Sequence, residues 1–281
     1  MIYISDEDID RLIKEDVPYI DLTTWVLGFG EEIGRSIYFT RQDAVLCGTE
    51  EVIRIMNKLN IEVEASKPSG SLIKSGENFL TAKGKAKDLH MAWKMCQNIF
   101  DHCSGMATKT KELVDIVKSE NPNMEIVTTR KCFPGTKALA VKAIMTGGAY
   151  PHRLGLSETV LVFKQHTNFI GGFEGFIKEI PNIKHKLCEK KLIVEATSID
   201  EAAKLCEAGV DGIQFDKLTH EVLKEGVPKL RNISPNVLIL AAGGINEKNA
   251  KEYAKTGVNA IVTTSLYQAK PIDIGVKIEK I

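Results

Sequence analysis

The sequence predicts an α/β chain, with an N-terminal α+β domain followed by an irregular, incomplete TIM-like barrel of about six or seven strands. Three observations carry this. Apolar runs of strand character recur near 124–128, 159–163, 191–196, 212–215, 237–241 and 260–263. Helical patterns over 199–208, 221–230 and 247–256 separate the later ones, at the spacing of roughly 20–25 residues typical of βα units. The first hundred or so residues mix strands and helices without that rhythm.

Ser5 with Asp8 reads as a capping box, and Ile9, Leu12 and Ile13 follow at helical spacing until Asp21-Leu22-Thr23-Thr24 ends the segment. β-formers dominate Ser36 to Thr40 and Ala44 to Cys47. Thr49 is positioned to cap a helix running to Leu59, with Val52, Ile53, Ile55, Met56 and Leu59 as its apolar face. Further strands are predicted over 61–65, 71–74 and 79–84. A long helical pattern starts near Lys87, breaks or bends at Ser104-Gly105, and resumes through Val117. The domains expected are therefore 1–104, 105–269 and a tail, 270–281.

Lys plus Arg equals Asp plus Glu at 37 each. No net charge draws nucleic acid or an anionic membrane, so any anion site must come from local clustering. The acidic opening, Met1 to Asp10, lacks a signal-peptide pattern, and no apolar stretch is long enough to span a bilayer. A soluble cytoplasmic protein is expected. The six cysteines (Cys47, Cys96, Cys103, Cys132, Cys188, Cys206) form no CxxC, which disfavours zinc or a disulfide framework. Cys132 stands out only because Arg130 and Lys131 beside it favour a thiolate.

The chemistry lies where strands end. The run 124–129 leads into Arg130-Lys131, and His152-Arg153 follows a Gly-Gly turn. Later strands run into Glu195, into Asp216, into Ala242-Gly243-Gly244 and into Thr264-Ser265. Residues at the carboxyl ends of barrel strands share one rim, where such enzymes keep their sites. Two cation clusters there suit an anion. Gly243-Gly244 before a helix, with Thr264-Ser265 in the next unit, suits a phosphate. Glu195 and Asp216 suit sugar hydroxyls or Mg²⁺.

These residues, with Asp21-Leu22-Thr23-Thr24, Ser104-Gly105-Met106-Ala107-Thr108, Pro134-Gly135 and Gly147-Gly148, resemble the nicotinate-nucleotide pyrophosphorylases, or quinolinate phosphoribosyltransferases, over nearly the whole chain. Trp93-Lys94, Phe133 to Lys137 and Leu161-Val162-Phe163 make the chain most similar to the ModD branch, which is associated with molybdate transport. The resemblance implies a homodimer whose sites are completed across the interface, and a tail that returns to the first domain. It also implies transfer of phosphoribose from phosphoribosyl pyrophosphate to a pyridine nitrogen with Mg²⁺, releasing pyrophosphate. With quinolinate, CO₂ is lost as well and nicotinate mononucleotide is formed. On that resemblance Lys94, Arg130, His152, Arg153 and Phe163 bind the acceptor, and Lys131, Glu195 and Asp216 act at the donor. Glu195 and Asp216 also hold the metal, and Ala242, Gly243, Gly244, Thr264 and Ser265 surround the phosphate. Two departures are visible: Lys94 replaces a usual arginine, and Phe163 a usual lysine. They point to a different acceptor as an alternative to quinolinate. A phosphate-ligand-binding protein without catalysis is the second reading.

Overall fold

The computed structural model describes residues 2–281. In chain order the elements are α1 (Asp6–Asp16), α2 (Leu22–Leu27), β1 (Ile33–Thr40), β2 (Ala44–Val45), α3 (Thr49–Lys58), β3 (Glu62–Ser66), β4 (Leu72–Ile73) and β5 (Asn78–Lys85). Next come α4 (Ala86–Glu120), β6 (Glu125–Thr128), α5 (Lys137–Thr146), β7 (Tyr150–Pro151), β8 (Val160–Val162), α6 (Lys164–Thr167) and α7 (Gly172–Leu187). The chain closes with β9 (Leu192–Ala196), α8 (Ile199–Glu207), β10 (Gly212–Asp216), α9 (His220–Ile233), β11 (Leu238–Ala242), α10 (Ala250–Ala254), β12 (Ala260–Thr263), a 3₁₀ turn Ser265–Gln268 and β13 (Ile274–Lys280). Two compact units emerge. One comprises 1–111, 133–148 and 267–281, the other 112–132 and 149–266.

The first unit is built on an antiparallel sheet in the order β13-β1-β5-β3. β13 pairs with β1 from Gly34↔Lys280 to Thr40↔Ile274, so the last strand of the chain covers an edge of its first. The alternating burial of β1 puts Tyr38 into a core shared with Phe79, Leu80, Cys96 and Phe100. Tyr38 and Phe79 meet Phe100 edge-on, with ring centres at 5.7 and 4.9 Å, the arrangement their quadrupoles favour.

Local chemistry corrects three expectations in this unit. Asp21 does not close a helix; its carboxylate accepts from Thr23 N at 3.1 Å and Thr24 N at 3.3 Å, and so starts α2. Thr49 does not cap α3. The N-cap is Gly48, in the left-handed region at φ 105°, and Ser69 Oγ takes the N–H groups of Gly48 and Thr49 at 3.0 and 3.3 Å from a distant loop. Ser104-Gly105 is no break either, because α4 runs unbroken for 35 residues. Ser104 is buried there and accepts from Cys47 N at 3.0 Å. A Cβ on Gly105 would stand 2.3 Å from Lys270 O, so glycine serves close packing in mid-helix.

The second unit is one parallel sheet of seven strands in the order β7-β6-β12-β11-β10-β9-β8. β7 and β8, neighbours in sequence, lie at opposite edges, so the barrel is open. The seventh strand, β7, is two residues long and had no signal in the apolar pattern. α6 and α7 fill the connection from β8 to β9, a segment over which the sequence predicts no helix. Inside the sheet, Leu161, Ile193, Leu240, Ala242, Ala260 and Val262 form the core, with Val127 and Phe163 packed against it. Strands buried on both faces read as continuous Ile/Leu/Val runs, which is why β9 to β12 were legible. Among the described residues no helix is long and apolar enough to cross a membrane.

Candidate active site

The parallel register sets the inward side chains in levels. Gln214 stands beside Glu195, and Asp216 beside Ala242. Leu161 pairs with Ile193 and Val162 with Val194, so Phe163 emerges level with Glu195. Val262 and Val127 continue the upper level through β12 and β6. The strand-end residues expected to carry chemistry in this unit therefore gather at one rim.

Glu195 is the centre of the acidic side. Burial raises its carboxyl above the ordinary range, and the negative charge of Asp216 raises it further. The Gln214 amide and the Lys131 ammonium act in the opposite sense. Asp216, Gln214 and Lys131 are thus each close enough to act on Glu195. The cationic side is crowded. Burial lowers the guanidinium pKa of Arg153, and Arg130 lowers it again by repulsion. His152 is held below its ordinary value by burial and then by Arg153, so it is neutral at pH 7. Holding like charges together costs free energy that a bound anion would return. Hydrogen bonds from the backbone fix the loops: His152 N donates to the main-chain Thr128 O at 2.9 Å, and Lys131 N to the side-chain Thr129 Oγ1 at 3.2 Å.

The glycine turn is shaped by its neighbours. Gly243 and Gly244 have φ of 95° and 75°, a region that disfavours side chains. A Cβ on Gly243 would lie 2.5 Å from Lys217 Cγ and 2.9 Å from Asp216 Oδ1, whereas one on Gly244 would meet nothing within 4 Å. The turn therefore packs on the carboxylate on one side and opens on the other. The expectation of a helix N-terminus directly behind it is corrected: α10 begins only at Ala250 and spans five residues. The intervening loop is tied by Asn246 and Asn249, whose amides donate to Gly244 O at 3.1 and 3.2 Å. Thr264 Oγ1 lies 2.9 Å from Thr129 Oγ1, joining the ends of β12 and β6.

Three residues here were not foreseen. Thr263 is buried, donates to Ile245 O at 2.6 Å and accepts from Ser265 N at 3.0 Å, tying the loop after β11 to the turn after β12. Lys217 adopts φ 62° directly after Asp216, an unusual state for a lysine, and its N–H donates to Ala242 O at 2.8 Å. Gln214 is 6% exposed. Only a polar residue at an inward strand position could have signalled it. Lys94 belongs to the first unit, exposed on α4, its ammonium 4.6 Å from the Trp93 ring centre and 3.1 Å from Gln97 Oε1.

Glu195 and Asp216 are the acidic pair; no cluster of three or more His, Cys, Asp or Glu suited to a metal occurs among the described residues. Two carboxylates fit Mg²⁺ that takes its remaining ligands from phosphate and water, as that ion prefers. A cavity of about 390 Å³ is lined by Asn123, Lys191, Leu238 and Asn259 at the amino ends of the strands, together with Val127, Ile193, Leu240 and His152, and neither Glu195 nor Asp216 lines it.

An open parallel α/β barrel with its charges gathered at the carboxyl ends of its strands has the architecture of a barrel enzyme. The sequence model described as "Quinolinate phosphoribosyl transferase, C-terminal domain" matches residues 106–277, and the corresponding N-terminal domain matches 21–104. The chain belongs to the quinolinate phosphoribosyl transferase family, whose members are pentosyltransferases. It is 36% identical over 281 residues to a Pasteurella multocida protein named "Putative pyrophosphorylase ModD", covering 100% of this chain and 99% of that one. It is 30% identical over 277 residues to the "Probable nicotinate-nucleotide pyrophosphorylase [carboxylating]" of Methanothermobacter thermautotrophicus, covering 96% and 97%. Its fold matches the nicotinate-nucleotide pyrophosphorylase structure from Ehrlichia chaffeensis with TM-score 0.88 at 26% identity, covering 99% and 100% of the two chains. The corresponding structure from Francisella tularensis matches with TM-score 0.88 at 24% identity, covering 99% and 98%.

Proposed function

We propose that this chain transfers the phosphoribosyl group of phosphoribosyl pyrophosphate to the ring nitrogen of an aromatic carboxylic acid and releases pyrophosphate. Quinolinate, the family's acceptor, is the first compound to try. The observation that carries the reading is the division of one rim into a cationic side, where Arg130 crowds Arg153 beside a neutral His152, and an acidic side, Glu195 with Asp216.

The acceptor carboxylate would lie in the guanidinium forks of Arg130 and Arg153, which match it with parallel hydrogen bonds. Ala242, Gly243, Gly244, Thr264 and Ser265 would enclose the 5′-phosphate of the donor, with Gly244 on the open side of its turn. As the bond from the anomeric carbon to pyrophosphate breaks, positive charge grows on the sugar. Glu195 and Asp216 would stabilise it. Lys131 would take part of the negative charge on the leaving group. Mg²⁺ bound to Glu195 and Asp216, directly or through water, would supply further positive charge to that group. The ring nitrogen's lone pair forms the new bond. The family resemblance supports a homodimer, with Lys94 contributed across the interface.

The test is pyrophosphate release from purified protein with donor, Mg²⁺ and quinolinate, beside nicotinate and no-acceptor controls. Replacing both acids (Glu195→Gln with Asp216→Asn) is expected to lower turnover by about 100-fold or more and to weaken Mg²⁺-dependent donor binding. Survival of both would refute the roles given to the carboxylates.

A further inference from the structure

We infer that the acceptor carries a single carboxylate and, where a second would lie, a hydrogen-bond donor directed at Gln214, with its ring against Phe163. This refines the phosphoribosyl-transfer reading and rests on it.

Strands β8, β9 and β10 place Phe163, Glu195 and Gln214 side by side within the barrel. Gln214 pairs in register with Glu195, and Phe163 follows the pair Val162↔Val194. Phe163 packs on the barrel core and is stacked on His166, with ring centres 5.7 Å apart and planes 28° apart. The His166 ring is in turn fixed, its Nδ1 accepting from Phe163 N at 2.9 Å. A flat apolar face is therefore held in place at this level of the barrel. Lys164, the next residue, is exposed and does not substitute for a cation at that position.

Gln214 supplies the second observation. It is 6% exposed, yet its Oε1 has no hydrogen-bond partner among the described residues. A buried carbonyl oxygen left unpaired is costly, and a ligand that brings an N–H or O–H removes the cost. On the other side Gln214 is level with Leu240, and Leu240 with Ala260, so no cation follows along the row.

The three cations at the rim, Arg130, Lys131 and Arg153, follow β6 and β7, as does the neutral His152. A carboxylate placed there is welcomed. A second one against β8 to β10 would meet the negative charge of Glu195, the electron-rich face of Phe163 and the lone pairs of Gln214 Oε1. A planar nitrogen heterocycle with one acid group and an amino, hydroxyl or ring N–H substituent meets the opposite: an anion on the cationic side, a stacked ring and a donor for the orphaned oxygen.

The test is calorimetric titration of the full chain with pyridine-3-carboxylate, pyridine-2,3-dicarboxylate and 2-aminopyridine-3-carboxylate, with circular dichroism melts to check that each variant is folded. The 2-aminopyridine-3-carboxylate is expected to bind at least roughly tenfold tighter than the dicarboxylate, because unpaired buried polar groups discriminate strongly. Gln214→Leu should erase that preference, and Phe163→Lys should raise dicarboxylate affinity by about tenfold. The inference is overturned if the dicarboxylate binds as tightly, if none of the three binds, or if neither variant changes the order. Binding of phosphoribosyl pyrophosphate is measured separately. Its absence would sink the transferase reading, whereas a wrong acceptor order with the donor bound would sink only this one.

Discussion

Gly243 is where backbone conformation and candidate chemistry meet. Alanine there would combine a left-handed φ of 95° with a Cβ 2.9 Å from Asp216 Oδ1. Gly243→Ala should cost about 2–4 kcal/mol and displace Asp216, so that urea unfolding and donor affinity fall together. An equal loss of stability with donor binding intact would separate the turn from the site. Asp101 offers a test remote from that chemistry. Burial raises its carboxyl from 3.8 to about 6, although it accepts from Ile274 N at 3.1 Å. A raised acid contributes stability that is full below its unfolded value and is lost as pH rises through the folded one. The parent should therefore lose ground to Asp101→Asn between about pH 4 and 7, by on the order of 1 kcal/mol after allowing for partial exposure. Denaturant midpoints at the two pH values decide it. Charged strand-end residues such as Glu195 and Asp216 were legible because a carboxylate after an apolar run is conspicuous. Gln214 and Thr263 were not, since whether a strand residue faces inward depends on register, which one segment alone does not reveal.

At the scale of elements, α4 shows how a correct physical rule leads to a wrong element. Ser-Gly disfavours helix interior, and on local propensity it reads as a break. What outweighs propensity is contact with residues distant in sequence: Lys270 O occupies the space a Cβ at Gly105 would need, and Ser104 receives Cys47 N. This fixes the sign of an experiment. Gly→Ala in an ordinary helix interior gains up to about 1 kcal/mol, but Gly105→Ala should lose about 3 kcal/mol through overpacking. Chemical denaturation of the variant measures it, and a gain would restore the view of this dipeptide as a tolerated weak point. α3 makes the same argument. Its start was legible, but its cap comes from Ser69, which Glu50 holds by accepting from Ser69 N at 3.1 Å and Ser69 Oγ at 2.6 Å. Ser69→Ala should cost about 1–2 kcal/mol.

For the whole molecule, the chain's route matters more than its linear boundaries. The two family domains meet between residues 104 and 106, inside α4. The first compact unit draws on three separated segments. The βα rhythm after residue 190 made the barrel legible, but no local pattern could say that 133–148 and 267–281 belong with the first hundred residues. Their contributions are large. β13 covers seven residues of β1, and without it that strand becomes an open edge. Lys142 of α5 reaches Glu50 at 2.6 Å and also pairs with Glu51, whose side chain is 5% exposed. Leaving such a charge buried and unpaired costs about 3–5 kcal/mol, a large part of the stability of a domain. A fragment ending at Lys111 should therefore show no cooperative urea transition, whereas the full chain does. Adding back a peptide of residues 267–281 should not rescue it, because Glu51 would still lack Lys142. A cooperative transition in the 1–111 fragment would mean that neither the β13 ladder nor the Lys142 pair is needed to hold this unit together.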